Sequence, residues 1–185
     1  MIDVALIHYP VVNKNGDIIG SAVTNLDLHD IARAGCTYGI GTYWVVLPDA
    51  MQQEVAAKII GHWTEGYGGK VNPDRRDALS LIRICSSLDE VIDGLTEQDN
   101  KPPFILATSA RKDKRTMGFN AVRRMSESDR RLLILFGTAW GLAPEIMERV
   151  DGILPPLMGK GRYNHLSVRS AASIILDRIM APEYE

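Results

Sequence analysis

The stretch Thr108-Ser109-Ala110-Arg111-Lys112-Asp113-Lys114-Arg115 places four cations, Arg111, Lys112, Lys114 and Arg115, within five positions, directly after the apolar run Phe104-Ile105-Leu106-Ala107. Cations so gathered can form a local patch for an anionic partner. Their bland alternative is a solvated face. Three further stretches have the composition of ligand loops. In Gly137-Thr138-Ala139-Trp140-Gly141-Leu142 the glycines admit close backbone approach, or simply form a strand–helix turn. Leu154-Pro155-Pro156-Leu157 is a rigid apolar wall that suits a flat adenine, its edge read by backbone amides and carbonyls, and equally suits a stiffened turn. Ser170, Ala171, Ala172 and Ser173 are small residues at a helix start, with Asn164 or Ser167 as its cap. None of this is a GxGxxG pattern. Gly66-Tyr67-Gly68-Gly69-Lys70 lacks the spacing and the Ser/Thr of a phosphate loop, so a nucleotide phosphate cradle is disfavoured. Cys36 and Cys85 form no CxxC pair, and His8 and His62 have no partners at ligand spacing; no metal is expected.

These loops need elements to hold them. A chain of 185 residues, 45% hydrophobic and 24% charged, supports a globular core. A net charge of −2 excludes a polyelectrolyte binder, so any nucleic-acid contact must come from a local patch. The N-terminus lacks a basic leader region, and no apolar stretch approaches the roughly 20 residues of a membrane helix. A reduced, cytoplasmic setting is the expectation. Strands are predicted at 2–8, 43–47, 79–85, 104–107, 131–136 and 151–154, with a further extended segment over 18–24 after the Asn15-Gly16 turn. Helices are predicted at 28–37 (capped by Asp27), from Pro48-Asp49 to about Thr64, from Ser87 to Leu95, around 118–125, over 143–150, and at 166–180. Such alternation means an α/β fold with a mostly parallel sheet covered on both faces. Ligands of such sheets bind beyond the carboxyl ends of the strands. That rule brings loops 108–115, 137–142 and 155–164 to one rim.

Three segments, Ala107–Arg111, Leu135–Leu142 and Ile153–Arg178, resemble the SPOUT superfamily of trefoil-knotted RNA methyltransferases that use S-adenosylmethionine. The resemblance implies a C-terminal knot and one domain over 1–185, with the knotted cofactor site at about 104–180. The implied cofactor pocket takes Thr108, Ser109 and Ala110 from the first loop, and Phe136, Gly137, Thr138 and Gly141 from the second. Ile153, Leu154 and Pro156 follow, then Asn164, Leu166, Ser167 and Ala171. Most of these would act through backbone. Upstream, Asn25 and Arg33, followed by Tyr38-Gly39, are similar to the asparagine–arginine–glycine segment of SpoU-type enzymes. By that likeness Arg33 is the main catalytic candidate, in an orienting and electrostatic role because an arginine stays charged. Asn25 orients the same centre. An Asp30–Arg33 ion pair and a helix cap are their bland alternatives, and His29 and Asp30 are alternative acid/base groups. Beside the implied cofactor rim, Arg111, Lys112, Lys114 and Arg115 would hold RNA phosphates, Arg123, Arg124, Arg130 and Arg131 would extend that patch, and Arg169 would face a partner subunit or the RNA. The wording departs from SpoU in Leu26–Asp30 and Tyr163–Ala171, which leaves ribose oxygen and base nitrogen both open as acceptors. The implied partners are structured RNA, tRNA or rRNA, and a second copy in a homodimer. The alternative function is a non-catalytic knotted module that binds S-adenosylmethionine or RNA.

Overall fold

The protein is described from a computed structural model covering residues 1–111, 113–161 and 163–182. In chain order, β1 (Ile2–Ile7), β2 (Val11–Val12) and β3 (Ile18–Ile19) precede α1 (Asn25–Tyr38), β4 (Tyr43–Val46) and α2 (Ala50–Thr64). Then come α3 (Tyr67–Val71), α4 (Pro73–Leu79), β5 (Ile82–Cys85), α5 (Leu88–Asp99), β6 (Phe104–Ala107) and α6 (Phe119–Ser126). The chain ends with β7 (Leu132–Gly137), α7 (Pro144–Glu148), β8 (Gly152–Ile153) and α8 (Val168–Met180).

Six strands form one parallel sheet in the order β5-β4-β1-β7-β6-β8. The central strands β1 and β7 are buried along nearly their whole length, which is why both read as continuous apolar runs rather than alternating ones. Alternate side chains feed opposite layers. Val4 and Leu6 pack with Leu28 and Ile31 of α1 and Ile175 and Leu176 of α8. Ala5 and Ile7 pack with Leu88 and Val91 of α5 and Ile146 of α7.

Two features position the rim. β8 is flanked by one stretch of chain on both sides. Ala107 of β6 pairs with Ile153 on one side, and Thr116 bridges Ile153 on the other, with Met117 N–H donating to the Ile153 carbonyl at 2.8 Å. The chain before and after the first loop, at Ala107 and at Thr116-Met117, therefore lies on the two sides of the β8 exit. α1 starts near the carboxyl end of β1, where Ser21 N–H bonds the His8 carbonyl at 2.8 Å. It ends at the opposite edge, where Gly39 takes φ 72° and Gly41 N–H bonds the Ile2 carbonyl.

Most predicted elements recur with ends displaced by a few residues. Thr24, not Asp27, caps α1, its hydroxyl accepting from Asp27 N–H, while Asp27 itself lies buried in the first turn. The extended segment after the Asn15-Gly16 turn stops at Ile19. Only Ile82–Cys85 of the predicted 79–85 strand is a strand; Pro73–Leu79 is helix, with Asn72 as its cap and Pro73 at its start.

Candidate active site

The three loops expected on one rim do converge. Thr108 N–H and Oγ1 both reach the Leu135 carbonyl at 3.0 Å, joining the exit of β6 to β7. Leu154 N–H donates to the Ala107 carbonyl at 2.8 Å, joining the exit of β8 to β6. Asn164 Nδ2 reaches the Ala110 carbonyl at 3.4 Å, bringing the segment before α8 onto the first loop. Ser167 is the cap of α8, its Oγ accepting from Ser170 N–H at 3.2 Å.

The 137–142 loop is tight for a stated reason. A Cβ on Gly137 would stand 2.7 Å from Leu142 N and 3.0 Å from Gly141 C. Gly141 has φ 117° and an open face, since an added Cβ would meet nothing within 4 Å. Backbone with a bare, open face is what a cofactor read by amides and carbonyls requires. Phe136, Ile153 and Leu154 are buried in the core, so only their backbone borders the rim. Pro156, Thr108, Ser109 and Ala171 are half-buried there, and Leu166 is exposed. Leu166 and Asn164 also line a shallow groove with Leu157, Met158 and Tyr163.

A polar line joins this rim to α1. Thr138 Oγ1 donates to the Ile7 carbonyl at 3.1 Å and also touches Ser21 Oγ. With Thr138 donating to Ile7, its oxygen is free to accept from Ser21, whose hydroxyl also lies within donating distance of the His8 carbonyl at 3.4 Å. Ser21 then accepts from His8 Nδ1, 2.9 Å away. This arrangement suits a neutral ring in its Nδ1–H tautomer. Nε2 is left a buried acceptor with no hydrogen-bond partner. Burial pushes the His8 pKa down, against the Asp27 carboxylate, which raises it. His8 is one of the buried polar residues of the core, and sequence reading gave it no role. Nothing in its spacing marks it, because its partners lie 13 and more residues away.

The catalytic candidates are not on the rim together. Asn25 is the first residue of α1 and exposed; Thr24, not Asn25, supplies the cap. Arg33 is exposed two turns further on, ~12 Å along the axis and toward the opposite edge of the sheet. The Asp30–Arg33 pair does not form. Asp30 pairs with Arg169 at 3.3 Å, and Arg169 also holds Asp27 at 3.2 Å. Arg169 therefore clamps α8 to α1 rather than facing outward. His29 is half-buried with its ring edge-on to Trp63 at 5.5 Å. Its pKa is lowered by burial, then by Arg75 and Arg33, against Asp30.

The cations divide. Arg111 and Lys114 are exposed on the first loop, and Lys112 lies outside the described residues. Arg115 is exposed but engaged, donating to the Met147 carbonyl at 2.8 Å and pairing with Asp113 at 3.3 Å. Arg123 donates to the carbonyls of Ala181 and Arg178, closing the end of α8. Arg131 pairs with Asp3, and Arg130 stacks on Phe104 at 4.4 Å. Arg124 is exposed. The patch is thus smaller than the count of cations suggested.

Comparisons with known proteins fit this geometry. A curated relative from Oleidesulfovibrio alaskensis (strain ATCC BAA-1058 / DSM 17464 / G20), named a tRNA (guanine-N(1)-)-methyltransferase, is 47% identical over 95% of the chain. The chain spans only 41% of that relative's length. A relative from Aquifex aeolicus (strain VF5), named only as an uncharacterized protein, is 40% identical over 96% of the chain and 87% of its own length. The solved SpoU methyltransferase AviRb from Streptomyces viridochromogenes, in complex with AdoMet, superposes with a TM-score of 0.59 at 17% identity. That overlay covers 97% of the chain and 56% of the solved one, and the two share the fold expected from the SPOUT resemblance. The family model for SAM-dependent RNA methyltransferases matches residues 1–181, and the chain belongs to that family.

Proposed function

We propose that this chain transfers the methyl group of S-adenosylmethionine to structured RNA, with tRNA as the first substrate to try. The observation that carries the reading is the convergence of the loops after β6, β7 and β8, held by Leu154 on Ala107 and Asn164 on Ala110. When bound, the cofactor supplies an electrophilic methyl on a sulfonium. The chain's part is to hold it through the backbone of Thr108–Ala110, Phe136–Thr138, Gly141 and Ile153–Pro156, and to close over it with Asn164, Leu166, Ser167 and Ala171. Lining the acceptor up with that methyl supplies much of the rate. The placement of Ala107 and Thr116 on the two sides of β8 supports a trefoil knot over about 104–180 within one domain of 1–185. A cytoplasmic setting goes with an RNA substrate.

The guanine-N1 name describes a relative more than twice as long as the matched segment. It therefore does not fix the acceptor for this unit, and ribose oxygen and base nitrogen both remain in play. Arg111, Lys114 and the neighbouring Lys112 are assigned to RNA phosphates. Arg33 and Asn25 are assigned to the acceptor. Within one chain Arg33 lies away from the rim, and this favours a second reading, a knotted module that binds without turnover. A homodimer in which one copy's α1 serves the other copy's rim resolves the difficulty.

Calorimetric titration with S-adenosylmethionine and its demethylated product, followed by labelled-methyl transfer to unmodified tRNA transcripts, tests both readings. The enzyme reading requires saturable binding, and transfer that falls at least a hundredfold in Arg33→Ala while cofactor affinity holds. Binding without transfer to any RNA tried assigns the non-catalytic module. No binding by folded, ligand-free protein overturns both.

A further inference from the structure

We propose that the face built from α1, α2, α3 and α4 around Trp63 of α2 is an RNA-docking surface, separate from the cationic loop at the rim. The inference rests on the RNA-methyltransferase reading above and deepens it by naming where the substrate lies. Four elements meet there. The Arg75 guanidinium stacks on the Trp63 ring at 4.5 Å. His29 and His62 approach the same ring edge-on, at 5.5 and 4.9 Å. Arg33 acts on His29 from the same helix, together with Arg75.

The glycine-rich stretch 66–70, which is no phosphate loop, finds its purpose here. A Cβ on Gly68 would stand 2.7 Å from His62 Nε2 and 2.8 Å from Trp63 Cε3. A Cβ on Gly69 would strike the Trp63 carbonyl oxygen at 2.1 Å. Only glycine lets α3 lie directly on the indole. Lying there, α3 carries Tyr67 at 75% exposure and an exposed Lys70.

The composition fits nucleic acid. Among the described residues no carboxylate pairs with Arg33, Lys70 or Arg75, whereas Asp30 and Asp77 are taken by Arg169 and Arg76. Glu65 and Asp74 are the remaining exposed acids of these turns. An exposed aromatic ring beside unpaired cations offers a base a stacking partner and its phosphate a counter-charge. Arg33, the acceptor candidate, sits on the edge of this surface. RNA held against α3 and α4 would thus be led along α1 to the residue assigned to the reaction.

The test compares three exposed-residue variants, Tyr67→Ala, Lys70→Glu and Lys114→Glu, for binding to unmodified tRNA transcripts at several salt concentrations. S-adenosylmethionine affinity and melting temperature are controls. Tyr67→Ala and Lys70→Glu are expected to weaken RNA binding about tenfold each, with cofactor affinity and melting unchanged. Lys70→Glu should also lower the salt slope by about one. RNA affinity within about twofold of wild type in both variants, while Lys114→Glu loses it, overturns this surface and leaves the rim loop as the contact. Unchanged RNA affinity with an altered oligomeric mass in Tyr67→Ala gives the face to a protein partner and also overturns it. A wild-type protein that neither binds nor methylates RNA fails at the earlier step, the function itself.

Discussion

His8 carries two predictions at the scale of a single residue. Its folded-state pKa lies below the ordinary 6.5, chiefly because of burial. As pH falls, the unfolded chain takes up the proton first. Stability is therefore fully present above about pH 6.5 and lost as pH drops toward the folded-state value. Denaturation midpoints at about pH 7.5 and about pH 5 should fall less in His8→Asn than in wild type. Part of the slope should persist, because His29 is shifted in the same direction. The hydrogen-bond line gives the second test. Asn can replace the Nδ1–H donor to Ser21, and Leu cannot. Methyl transfer in His8→Asn should keep its KM for the cofactor, while His8→Leu raises it several-fold with kcat less affected. Equal KM in both variants would dissociate Thr138 from His8. Gly137→Ala is a third residue-scale case. The new Cβ meets the Leu142 backbone at 2.7 Å, so the loop must shift, at a cost of about 1–3 kcal/mol. Cofactor affinity in the titration should fall at least tenfold. The glycines of this loop were legible in the sequence because glycine advertises its purpose. His8 was not, because its purpose lies in partners distant along the chain.

Elements were legible where local chemistry decides them. Ser87 caps α5 as expected and Asp49 caps the helix expected to open at Pro48-Asp49, each accepting from the N–H three residues on, and Phe104–Ala107 is a strand with the predicted ends. The helices that escaped, α3 and α4, have 5 and 7 residues. Helices so short gain little from propensity and form because Gly68, Gly69, Ala78 and Leu79 are buried. Ion pairs between elements escaped for the same reason. Arg131, at the start of β7, holds Asp3 of β1 at 2.6 Å and Asp99 at the end of α5 at 3.1 Å. In sequence it was one more cation of a patch. Its side chain is 9% exposed and that of Asp3 is fully buried. Arg131→Ala would leave a buried carboxylate unpaired, so it should cost about 3–5 kcal/mol in urea denaturation. Replacing both partners, as Asp3→Leu with Arg131→Met, should recover most of that loss. A single substitution costing under about 1 kcal/mol would mean that water or another donor reaches Asp3.

For the whole molecule, assigning Arg33 to the acceptor requires the rim and α1 to cooperate although one chain holds Arg33 away from the rim. A second copy would supply the missing half. The surface available for it adjoins the cofactor loops, where Met158, Tyr163 and Leu166 are exposed beside the groove before α8. Large apolar side chains exposed side by side are what a contact with a second copy would bury. No residue pattern announces such a surface, because an exposed Tyr or Leu is ordinary one at a time and informative only when folding gathers it with others. The protein should sediment at twice its 20.5 kDa mass. Tyr163→Asp combined with Met158→Asp should give a monomer, because two buried carboxylates would face an apolar contact. Methyl transfer should then fall at least a hundredfold. Mixing the monomeric variant with excess Arg33→Ala protein tests the composite site itself. If the contact tolerates one altered partner, mixed dimers pair an intact rim with an intact α1 and restore part of the transfer. A wild-type protein that stays monomeric through the micromolar range and still methylates RNA would show that Arg33 acts within its own chain, and the assignment of α1 to the partner's rim would fall.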